Sequence, residues 1–79
     1  MGWTRLVKRP RSPTLQIGNN VRLLRTVAAM TQEVLAEQAE IDPRYLQKIE
    51  AGAVNPSIQV MVRLRNALKV SWDDLLSGL

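Results

Sequence analysis

The stretch "TQEVLAEQAEIDPRYLQKIEAG", residues 31 to 52, sets two helical patterns end to end with almost nothing between them. Thr31 can cap the first, which carries Leu35, Ala36 and Ala39 on one face at helical spacing. Asp42 followed by Pro43 is a strong start for the second. Aspartate accepts from the free N–H groups of a first turn, and proline at the first helical position gives up an N–H that had no partner there. Gly52 closes that helix. The break at Glu40 and Ile41 is too short to reverse the chain, so the two helices must cross steeply with Ile41 in the corner between them. A steep crossing leaves the outer face of the second helix free to project.

The flanking segments also read as helices. Ile17, Val21, Leu24 and Val27 or Ala28 recur at three- and four-residue steps, which predicts an amphipathic helix over about residues 17 to 29. "NPS" at 55 to 57 repeats the stop-and-cap logic and opens a fourth helix with Val60, Leu64 and Leu68 inward. Ser71, placed before Asp74 as in a capping box, starts a short fifth helix ending at Gly78. No credible strand and no internal repeat are found. The expected fold is all-α, a compact five-helix domain over residues 17 to 79. At 79 residues one small domain is expected, without room for a second, ligand-sensing one.

Composition excludes several functions. The chain has no Cys and no His, so a disulfide framework, a thiolate nucleophile, the usual zinc site and the usual general base are all missing. Asp73 and Asp74 are adjacent on a helix and point apart, so they cannot act as a facing acid/base pair. The expectation is a protein that is not an enzyme and uses no metal or cofactor. No apolar run approaches the roughly 20 residues of a membrane span, and "MGWTRLVKRPRSP" lacks the apolar centre of a signal peptide. A cytoplasmic location is expected.

The charge is distributed unevenly. Residues 1 to 16 hold Arg5, Lys8, Arg9 and Arg11 and no acid, whereas the rest of the chain balances seven basic against seven acidic side chains. The net charge of +4 therefore belongs to an N-terminal arm, which Pro10 and Pro13 turn away from helix. On the helix that begins at Pro43, Leu46 and Ile49 define the buried side at about 100° per residue, and Arg44, Gln47, Lys48 and Ala51 fall opposite. Two cations, an amide and one small residue make a helical ridge suited to the major groove of DNA, where Arg and Lys donate to guanine and Gln pairs with adenine.

These residues resemble the Cro and phage-repressor type (XRE) helix-turn-helix regulators over about residues 17 to 78. The resemblance rests on "IGNNVRLLR", "TQEVLAEQAEIDPRYLQKIEAG", "NPSIQVMVRLRNALKVS" and "WDDLL". The family pattern wants Gln32 opening a helix, a small residue at Ala36, apolar positions at Ile41, Leu46 and Ile49, and a Glu50-x-Gly52 ending. It implies a lambda-repressor-like domain that binds double-stranded DNA, with an ion pair between Arg25 and Glu50 joining the first and third helices. Two positions depart from it. Glu40 stands where a turn glycine is usual, at a cost of about 1 kcal/mol if the backbone there is left-handed. Pro43 stands where relatives often carry a base-reading Gln, and offers apolar contact alone.

The expected DNA contacts are Arg44 and Lys48 to bases or phosphates, the alternative being solvated charges, Gln47 to adenine, Pro43 to a thymine methyl, and Gln32 to phosphate at a helix start that attracts anions. Tyr45 can equally pack, Thr31 is more safely a cap than a contact, and Asn55 is either a turn residue or a contact. Arg9 and Arg11 of the arm would follow the phosphate backbone or enter the minor groove, the alternative being a solubility tail. A homodimer is expected because one recognition helix reads too few base pairs. Trp72, Leu75 and Leu79 are its candidate surface, although Trp72 and Leu76 could instead close the core. A rival reading, an antitoxin that masks a protein partner and controls its own operon, shares this fold.

Overall fold

The computed structural model describes residues 12 to 79, which form five helices: α1 (Pro13–Val27), α2 (Gln32–Ala39), α3 (Pro43–Glu50), α4 (Ile58–Leu68) and α5 (Trp72–Leu75). Each begins with a side-chain oxygen on an otherwise unpaired N–H. Ser12 accepts from Leu15, Thr31 from Val34, Asp42 from Arg44, Ser57 from Val60 and Ser71 from Asp74. A cap of this kind is worth about 1 kcal/mol, which counts in helices as short as α2 and α3.

The helix ends are less conventional. Ala29, Glu40 and Lys69 all adopt left-handed backbone, with φ near 58°. At Glu40 (φ 58°, ψ 46°) the reversal lets the Ile41 N–H reach the Ala36 carbonyl at 2.9 Å, which closes α2 and turns Ile41 toward the core. The turn is therefore left-handed, built from glutamate where the resembled family usually has glycine. After α3 the same service is done by Gly52, at φ 74°.

The core is built from Val21 of α1, Leu35, Ala36 and Ala39 of α2, Leu46 and Ile49 of α3, Met61, Leu64, Ala67 and Leu68 of α4, and Leu75 of α5. Val21, Leu35, Leu46, Ile49, Leu64 and Leu75 are completely inaccessible, each contributing on the order of 2 kcal/mol of burial. Ile17, Leu24, Ile41 and Val60 pack against this centre while half-buried.

Three expectations are corrected. The first helix begins at Pro13 rather than at about residue 17, because Ser12 caps it and proline is at home in a first turn. Val27 and Ala28 do not face inward: Val27 is 84% exposed, because no other element among the described residues covers the end of α1 there. The last helix stops at Leu75, and Gly78 lies beyond it in a left-handed turn. Among the described residues no helix is long and apolar enough to cross a membrane.

Candidate nucleic-acid interface

Helix α3 is held from behind and left open in front. Its buried residues, Leu46 and Ile49, are anchored in the core, while Pro43, Arg44, Gln47, Lys48 and Ala51 are all exposed. Behind it, α1 approaches so closely that a Cβ on Gly18 would collide with the Ile49 carbonyl oxygen. Glycine is required there for the helices to touch backbone to side. The Leu15 side chain packs on Gly52, just past the end of α3.

The end of α3 is also held by polar contacts. Glu50 receives Arg25 Nε at 2.7 Å and Nη2 at 3.1 Å, a two-point pair joining α1 to α3. Arg25 Nη1 donates to the Met30 carbonyl at 2.9 Å, which ties the turn after α1 into the same group. The hydrogen bond to Glu50 pushes the Arg25 guanidinium pKa up, against the opposing effect of burial. With side-chain exposures of 17% for Arg25 and 3% for Glu50, the pair is largely withdrawn from water. The ion pair implied by the resemblance is formed.

Gln32 completes the cluster. Its Nε2 donates to Glu50 Oε1 at 2.9 Å, so the first residue of α2 is joined to the last of α3. One N–H and the carbonyl oxygen of that amide remain for another partner. Thr31 caps α2. Tyr45 is half-buried and packs against the core. Asn55 accepts from the Thr14 hydroxyl, which links the first turn of α1 to the loop after α3. Arg9 and Arg11 lie outside the described residues.

The residues expected on a dimer surface separate. Leu75 is wholly inside the core, so it fastens α5 and cannot meet a partner chain. Trp72 is 37% exposed and Leu79 59% exposed. The Arg65 guanidinium lies over the Trp72 ring, 5.2 Å from its centroid, and Arg65 Nη1 donates to Asn66. The sequence carries no signal of this stacking. Gly18, within an apolar helical pattern, carried a signal of close approach.

A projecting cationic helix braced on a second helix through a left-handed corner defines a helix-turn-helix DNA-binding domain. A helix-turn-helix family model matches residues 21–75. The chain belongs to the XRE-type helix-turn-helix family of transcriptional regulators. It is 31% identical over 61 residues to the uncharacterised HTH-type transcriptional regulator y4dJ of Sinorhizobium fredii, covering 77% of this chain and 79% of that one. The restriction-modification controller protein C.AhdI of Aeromonas hydrophila has a similar structure, with a TM-score of 0.76 and 31% identity over 78% of this chain and 94% of the other. The controller protein C.Esp1396I, solved as a tetramer in complex with its natural 35 base-pair operator, matches with a TM-score of 0.76 at 25% identity, covering 82% and 86% of the two chains.

Proposed function

We propose that this regulator binds a palindromic operator as a homodimer, each copy laying α3 in the major groove. The carrying observation is the exposed ridge of Arg44, Gln47 and Lys48 on a helix whose opposite side is wholly buried. Arg44 and Lys48 donate to guanine edges, Gln47 pairs with adenine, and Pro43 meets a thymine methyl. Gln32 uses its remaining amide N–H on a phosphate, and Asn55 and Thr31 border the same backbone. Tyr45 supports the ridge from its half-buried flank. The residues before the first helix, Arg9 and Arg11 among them, add phosphate contacts.

Two copies meet through the C-terminal region, with the exposed Trp72 and Leu79 as its apolar contacts. An assembly of copies on operator DNA has precedent in the C.Esp1396I tetramer. Two-fold pairing would set half-sites about one helical turn apart. The test is selection of bound sequences from random duplexes by the full chain. An enriched inverted repeat with a fixed half-site spacing is the expected result. Recovery of unrelated sequences would overturn the reading.

A further inference from the structure

Asn20 is the polar residue of the described residues that is buried as a whole, with 6% exposure, and it lies on the opposite side of α1 from Gly18. Its Nδ2 donates to the Leu75 carbonyl at 2.9 Å and to the Ser77 carbonyl at 2.8 Å. Its Oδ1 accepts from Gln16 Nε2 at 3.1 Å, and the same Gln16 nitrogen donates to Ser77 at 3.1 Å. Gly78 lies so close that a Cβ there would come within 2.7 Å of that nitrogen. Two amides thus clasp the turn that follows α5, the turn that ends in the exposed Leu79.

The placement gives α1 two working sides. One touches the backbone of the reading helix at Ile49, and the other grips the C-terminal turn by carbonyl oxygens that have no helical partner. Hydrogen bonds hold that turn at a fixed angle more strictly than apolar packing would, because they are directional. We infer that Asn20 and Gln16 are positioning residues: they set the Leu79 face relative to α3, and hence how two copies pair. This inference rests on the pairing proposed above.

The experiment is sedimentation equilibrium of the full chain without DNA, comparing wild type with Asn20→Leu, Gln16→Ala and Leu79→Glu, with circular dichroism melts alongside. Asn20→Leu keeps the side chain's branched shape and removes both donated bonds. Dimer dissociation constants should rise about tenfold or more for Asn20→Leu and roughly threefold for Gln16→Ala. Both variants should remain fully helical at the temperature of measurement. Should Asn20→Leu not fold, the half-buried Gln16 keeps the inference testable, since its loss removes one bond to Ser77 and one to Asn20. A dimer that Leu79→Glu splits but Asn20→Leu and Gln16→Ala leave intact overturns this inference alone. A wild-type chain that stays monomeric, or a dimer indifferent to Leu79→Glu, overturns the pairing itself.

Discussion

Arg25 and Glu50 stand 25 residues apart in the chain and meet through two hydrogen bonds, with the carboxylate buried more deeply than the guanidinium. The asymmetry predicts which loss is worse. Arg25→Ala leaves a 3%-exposed carboxylate with Gln32 as its neighbour, and should destabilise the domain by roughly 3 kcal/mol or more. Glu50→Gln leaves a more exposed guanidinium that keeps its bond to Met30, and should cost less. Denaturant melts of both variants decide it; equal losses would remove the argument from burial. The raised pKa of Arg25 adds stability that is full below its unfolded value and lost only as pH climbs through the folded one. Its titration should therefore leave stability unchanged across the neutral range.

Glu40 pays for its left-handed backbone, so Glu40→Gly should stabilise the domain. The strain relieved is about 1 to 2 kcal/mol and the extra unfolded-state entropy of glycine returns part of it, which leaves a melting temperature raised by roughly 5 °C. Lys69→Gly, at the end of α4, should act separately and nearly additively. A fall in melting temperature for both would contradict the assigned turn strain.

On DNA, Arg44→Ala should weaken binding to the selected site by about 1 to 3 kcal/mol and relax preference at one guanine, with little change on random duplexes. Lys48→Ala, one turn further along, should affect a neighbouring position. Titrations on both DNAs separate base reading from phosphate contact: parallel weakening would assign Arg44 to the backbone.

The four cations before Ser12 make a prediction about salt. Each phosphate neutralised adds about 0.9 to the slope of log affinity against log salt, so removing residues 1 to 11 should lower that slope by roughly 2 to 4. Specific and random DNA should weaken alike. An unchanged slope would leave those residues without a part in binding.

Much of the architecture could be read from local signals. The caps at Thr31, Asp42, Ser57 and Ser71 work over three residues or fewer, and Leu46 and Ile49 follow from periodicity alone. The ridge of Arg44, Gln47 and Lys48 followed from the same periodicity. What escaped was decided by distant parts of the chain. Nothing near Asn20 in the chain marks it as buried, because its partners, the carbonyls of Leu75 and Ser77, come from the other end of the sequence. Val27 continues the apolar pattern of α1, yet its exposure depends on which elements reach that end. Trp72, Leu75 and Leu79 share a helical spacing, but a helix of four residues turns only Leu75 fully inward. Pro13 reads locally as a breaker, whereas the preceding Ser12 makes it a helix start.

The guanidinium stacked on Trp72 gives the molecule an optical handle. The chain has two tryptophans, and Trp3 can be replaced by Phe to leave a single emitter. That indole is partly open to water and capped on one face by a cation, so its emission depends on whether another surface covers the open part. Association of two copies would then be visible as a blue shift with rising concentration, in solution and without a label.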